Sequence, residues 1–129
     1  MDNDERQAKD VFARLIQTTR MLASSAEEQT AYLDEIDTGV DELRMEFLDV
    51  SSDLFPLYKE YDLIDHLDEE AVLAVEQHLN IAIGDHDHYQ EFFYNWSRSK
   101  NLSFWVETRR LAKIALDALT RPQSERETL

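Results

Sequence analysis

LDEIDTGVDELRMEFLDVSSDLFPLYKEYDLI, residues 33–64, is the most regular stretch of the chain and decides its fold class. Leu33, Ile36, Val40, Leu43, Phe47, Val50, Leu54, Leu57, Tyr61 and Ile64 recur at alternating steps of three and four, and every one is apolar. That spacing returns one side chain per turn to the same side of an α-helix, and repetition over more than four heptads makes a seam. A helix over 26–54 would be about 43 Å long at 1.5 Å per residue. Two residues resist a single straight rod. Gly39 costs roughly 1 kcal/mol in a helix interior. Pro56 lacks a backbone donor and crowds the carbonyl four residues back. The register passes through both, so the stretch is expected as a long helix kinked near 54–56, or as two helices end to end.

The same reading extends outward. Val11, Phe12, Leu15, Ile16, Thr19 and Leu22 form a wide helical stripe, so a first helix is expected from about Asp4 to Ala23. Ser25-Ala26-Glu27-Glu28 reads as a capping box, which starts the second helix at about Ala26. The Ser24-Ser25 link is too short for anything but antiparallel neighbours. Downstream, Asp68 followed by Glu69 and Glu70 marks a third start, with Leu67 placed to staple against Val72. Val72, Val75, Leu79, Ala82, His86, Tyr89, Phe93 and Trp96 continue that helix. A fourth is expected from about Leu102 to Thr120, with Phe104, Trp105, Leu111, Ile114, Ala115, Ala118 and Leu119 inward. The expected fold class is all-α: an antiparallel helical bundle of four main helices, in one domain over 1–121, with 122–129 a disordered tail. If the long second helix outruns its neighbours, its seam is available to a homodimer.

Composition narrows the function. The chain has 129 residues, 43% hydrophobic and 10% aromatic, enough apolar surface for one domain with a real core. There are two glycines and two prolines, too few for a turn-rich β fold, and no cysteine for a disulfide, thiol nucleophile or thiolate metal site. No apolar run is long enough to cross a bilayer, and the charged N-terminus is not expected as a signal peptide, so a cytoplasmic location is expected. Net charge is −15, distributed unevenly: residues 1–89 carry 23 acids and 6 bases, residues 90–129 carry 5 acids and 7 bases. Such a field repels nucleic acid and anionic membrane and attracts basic proteins.

Catalytic patterns are incomplete. No serine stands in a nucleophile-elbow turn, and Gly39 and Gly84 are too far apart for a phosphate loop. Asp85, His86, Asp87 and His88 are proper ligand types for zinc, iron or manganese, but only Asp85 and His88 share a helix face. A carboxylate-bridged bundle needs Glu-x-x-His from two helices; hemerythrin-like sites need more histidines. Asp34-x-x-Asp37 and Glu46-x-x-Asp49 lack the Glu-x-x-Glu partner and the lysines of the all-helical pyrophosphohydrolases. No enzyme activity, cofactor or metal is therefore assigned.

The acids themselves carry the candidate site. With Leu33 as position a, Asp34, Glu35, Asp41, Glu42 and Asp49 fall at b and c, away from the seam. They repeat every seven residues, about 10.5 Å along the axis. Glu46, Asp53 and Glu60 line an adjacent edge, and Asp62, Asp65, Asp68, Glu69 and Glu70 continue the negative surface around the turn. Spaced carboxylates on a rigid helix imitate a run of phosphates or oppose a row of lysines and arginines. Tyr32, Phe55 and Tyr58 are off the main seam and available as anchors. In size, acidity and helicity the chain resembles immunity proteins of nuclease toxins, antitoxins, anti-CRISPR proteins and DNA mimics, a likeness of composition that matches no motif. It implies a basic protein partner, such as a nuclease toxin or nucleic-acid-binding protein, with no direct contact to nucleic acid or membrane. The alternatives are a helical adaptor or oligomeric scaffold whose acidity serves solubility or a salt-rich cytoplasm, and a metal-binding bundle. Arg98, Lys100, Arg109, Arg110 and Lys113 are expected to pair with the acids of the second helix, or with a second copy.

Overall fold

The computed structural model describes residues 3–81 and 96–122. Every regular element among these residues is helical. They form α1 (Asn3–Ala23), α2 (Ala26–Glu35), α3 (Asp41–Leu48), a 3-10 turn (Ser52–Leu54), α4 (Phe55–Glu60), α5 (His66–Asn80), α6 (Trp96–Ser99) and α7 (Ser103–Leu119). The bounds of α1 and α7 lie within a residue of those expected from periodicity. No described helix is long and apolar enough to cross a membrane.

The long second helix does not form, and this corrects the count of four main helices. Residues 26–60 are three short α-helices and a 3-10 turn. The first break is a Schellman-type reversal: Thr38 N–H donates to Leu33 O at 3.2 Å and Asp37 N–H to Asp34 O at 3.2 Å. Asp37 stands between them with φ 53°, in the left-handed region that glycine normally fills. Asp37-Thr38-Gly39 joins three poor helix formers, and the chain turns there instead of stretching through. The end of α4 repeats the device: Leu63 N–H reaches Tyr58 O at 2.9 Å, Asp62 N–H reaches Lys59 O at 3.1 Å, and Asp62 has φ 56°. Pro56 occupies the first turn of α4, where its missing donor is harmless, so it begins a helix instead of bending one.

The apolar seam survives the breaks as a burial pattern. Leu33, Val40, Leu43, Phe47, Val50 and Ile64 are buried in the molecule's own core, while Ile36 of the same seam is 39% exposed. The buried seam residues join Leu15 and Leu22 of α1, Val72, Val75 and Leu79 of α5 and Phe104, Trp105, Ala112, Ala115 and Leu119 of α7 in one cluster. α7 is the hub, packed against both α1 and α5. Its Trp105 is fully buried, edge-on to Phe104 and to Trp96 at ring-centre distances of 5.2 and 5.3 Å. Ile114, expected inward, is 49% exposed.

Polar side chains lock the joints. The Ser25 hydroxyl accepts from Glu28 N–H at 3.1 Å, capping α2 as expected. Fully buried Gln29 donates from Nε2 to Met21 O and Leu22 O, both at 3.1 Å, and so satisfies two terminal carbonyls of α1. Glu76 of α5 accepts from the hydroxyls of Ser51 and Ser52 at 2.7 and 2.6 Å, holding the 3-10 turn. α5 begins at His66, not at Asp68, because Asp65 and Asp68 form the capping box: each carboxylate accepts the other residue's N–H, at 3.0 and 2.9 Å. Leu67 is then 45% exposed and does not act as the staple. Ala82, His86, Tyr89 and Phe93 of the expected third helix, and the tail 123–129, lie outside the described residues.

Candidate acidic binding cleft

The breaks in the second helix reposition the carboxylates. Glu42 and Glu46 of α3 and its C-cap Asp49 follow at steps of four and three, on one side of the helix. They form one wall of a cleft of about 470 Å³. α1 supplies the opposite wall with Arg14, Gln17, Thr18 and Met21, and α2 contributes Tyr32. The lining thus holds three carboxylates against one guanidinium.

Tyr32 reports the field in the cleft. Its hydroxyl lies 2.8 Å from both Glu46 oxygens and donates to that carboxylate. Burial, the bond to Glu46 and the negative charges of Glu46, Glu42 and Glu35 push the phenol up to about 12. The bond also ties α2 to α3 across their turn. Tyr32 is half-buried and open to the cleft. Tyr58 and Phe55 are not. Tyr58 is fully buried, donates to Val50 O at 2.6 Å and packs edge-on to Phe12, and Phe55 is 8% exposed in the core. Burial raises the Tyr58 phenol further still.

The ten sequence-predicted carboxylates divide. Glu42, Glu46 and Asp49 converge on the cleft. Asp34 and Glu35 are exposed at the end of α2, and Asp53, Glu60 and Asp62 are exposed along the 3-10 turn and α4. Asp41 is partly neutralised by Arg44, which holds both its oxygens at 2.7 and 3.3 Å. Asp65 is not displayed at all. It is 2% exposed and bound by Arg121 Nη2 at 2.9 and 2.8 Å, while fully buried Asp68 meets the same group at 3.3 Å. Desolvation alone would lower Arg121, but its bonds to Asp65 and the charges of Asp65 and Asp68 outweigh it, and the net shift is upward.

Among the described residues no salt bridge joins Arg98, Lys100, Arg109, Arg110 or Lys113 to the candidate carboxylates of α2–α4, and the expected pairing is limited to the charge of Glu27 on α2 felt by Arg109. Arg109 Nε donates to Gln29 Oε1 at 3.0 Å, its guanidinium stacks over Trp96, and burial lowers its pKa against the opposing charge of Glu27. Arg110 pairs with Glu107 on its own helix. Asp85, His86 and His88 lie outside the described residues, and among the described residues no group of three or more His, Cys, Asp or Glu is placed to hold a metal ion.

The α1 wall was missed in the sequence. Arg14, Gln17, Thr18 and Met21 follow a helical spacing of three, one and three, but their mixed polarity gave no apolar stripe to follow. No protein-family model, curated protein or solved structure matches this chain, so the cleft and its charges carry the functional reading.

Proposed function

We propose that the protein is a small acidic helical binding protein that neutralises or inhibits a basic partner protein, offering Glu42, Glu46 and Asp49 to a lysine or arginine of that partner. The observation that carries the reading is the convergence of Glu42, Glu46 and Asp49 on one wall of the cleft, to which acids placed at helix ends add. α2 ends in Asp34-Glu35 and reverses at Asp37, α3 is followed by Asp49, and α4 ends in Glu60 and reverses at Asp62. Neither α2 nor α3 has a basic residue in its last turn. A carboxylate at a helix C-terminus opposes the macrodipole and costs about 0.3–1 kcal/mol. Local rules are broken in this way where a sequence serves function over stability. A cation arriving from outside relieves both the dipole clash and the mutual repulsion.

Within the cleft, Tyr32 and Met21 offer an apolar surface for the stem of a long basic side chain, and the three carboxylates receive its head. Arg14 on the far wall leaves one side of the cleft disfavoured for a cation, which fixes orientation. The field from residues 1–89 accelerates encounter, and blocking follows from occupying the partner's cationic surface.

The test is capture from lysate at low and high salt with the wild-type chain and with Glu42→Gln/Glu46→Gln/Asp49→Asn. Retention of basic proteins by the wild type alone, weakened by salt chiefly through the association rate, is the expected result. Equal retention by the triple variant would reject the cleft as the binding surface.

A further inference from the structure

A second surface is apolar, and it shares no residue with the acidic cleft. Six large apolar side chains stand exposed among the described residues, and four of them lie on α5, its end, or α7: Leu67 (45%), Ile81 (63%), Val106 (55%) and Ile114 (49%). Leu67 and Ala71 of α5 with Ile114 and Ala118 of α7 line a groove of about 400 Å³. Leu67, Ala74 and Ile81 continue the α5 side at seven-residue spacing, so the stripe runs the length of the helix. The two helices are antiparallel, since Asp65 at the start of α5 meets Arg121 at the end of α7, and the His78 ring nitrogen lies 2.9 Å from Phe104 O at the other end.

The rims of the groove differ in sign. Exposed Glu70 stands on the α5 rim, 2.9 Å from the exposed imidazole of His66. Exposed Lys113 stands beside Ile114 on the outer side of α7 and makes no ion pair with any described residue. Arg121, at the end of the groove, is already held by Asp65 and Asp68.

We propose that this face is the interface through which two copies of the chain associate, about a two-fold axis lying along α5 and α7. That axis lays α5 of one copy over α7 of the other. It brings Leu67 of each copy against Ile114 of the other and Glu70 against Lys113, each pair twice, as an isologous interface requires. An axis across the helices would instead lay α5 on α5 and set Glu70 against Glu70, which like-charge repulsion opposes. The apolar centre with a polar rim of both signs is the anatomy of a standard interface. Because the opposite charges stand on the two rims of one face, a second copy satisfies both at once.

The experiment is sedimentation of the full chain over a concentration series at moderate salt. A concentration-dependent dimer is expected. Ile114→Asp should raise its Kd by roughly tenfold or more, as loss of a central anchor does, with the helical circular dichroism unchanged. Ile36→Asp, at an exposed apolar position outside the face, should leave it intact. Glu70→Lys and Lys113→Glu should each weaken the dimer, and the two together should restore it. A wild-type monomer at every concentration would overturn the proposal and assign the groove to a different protein or to the chain itself. So would a dimer insensitive to Ile114→Asp, or charge variants that fail to rescue each other.

Discussion

Replacing Arg121 with alanine isolates the electrostatics of the buried corner. In the folded protein one guanidinium serves two carboxylates, 2% and 0% exposed, and is itself 17% exposed. Its Nη2 lies 2.8 Å from Asp65 Oδ2 and 3.3 Å from Asp68 Oδ1, and its Nε donates to Ala118 O at 3.0 Å. Removing one partner of a buried pair typically costs about 3–5 kcal/mol, because the other charge stays behind uncompensated. Here each carboxylate keeps one backbone donor from the capping box, at 3.0 and 2.9 Å, which places the loss at the low end, about 3 kcal/mol. For a chain of this size that lowers Tm by roughly 10 °C. Urea denaturation followed by circular dichroism measures it. Asp65→Asn, which keeps a good N-cap, should recover part of the loss in the Arg121→Ala background while costing stability in the wild type. A loss below about 1 kcal/mol for Arg121→Ala would refute the reasoning and show the pair to be solvated in practice.

Ultraviolet absorbance titration should find Tyr32 ionising at about 12, with Tyr58 later still. The folded state then keeps the Tyr32 proton between pH 10 and 12 while the unfolded chain releases it, so stability is full below pH 10 and falls as pH rises through that window. Tyr32→Phe should flatten part of that fall in denaturation curves measured across the range. Ser25→Ala removes the N-cap acceptor of α2 and should cost about 1 kcal/mol in the same denaturation assay. Asp37→Gly places glycine at φ 53° and removes a charge from the C-terminus of α2, so it should stabilise the fold by roughly 0.5–1 kcal/mol. In the binding assay the same substitution should weaken salt-sensitive capture.

The helical class and the bounds of α1 and α7 were legible because local periodicity, cap residues and link composition agree there. The heptad run was legible as burial and misleading as continuity. Period alone records which residues face the core, and a chain that reverses twice can still turn most of them inward, although Ile36 stays exposed. The reversals were partly visible in Asp37-Thr38-Gly39, but the left-handed positions belong to Asp37 and Asp62, where backbone hydrogen bonds overrule the usual preference for glycine. The true cap of α5 was hidden because Asp65 and Asp68 both carry the right side chain, and only tertiary pairing with Arg121, 53 and 56 residues away, fixes the frame. Glu42, Glu46 and Asp49 were found by charge pattern, whereas the α1 wall opposite them depends on long-range packing that no local pattern encodes.

The position of α7 in the chain has a consequence for synthesis. It is the last described helix to leave the ribosome, yet α1 and α5 both rest on it. At about 5–20 residues per second, roughly 5–20 s separate the emergence of α1 from that of α7. Throughout that interval Leu15 and Leu22 lack the α7 side of the core cluster to which they belong. Covering of the facing sides of α1 and α5 thus waits for α7.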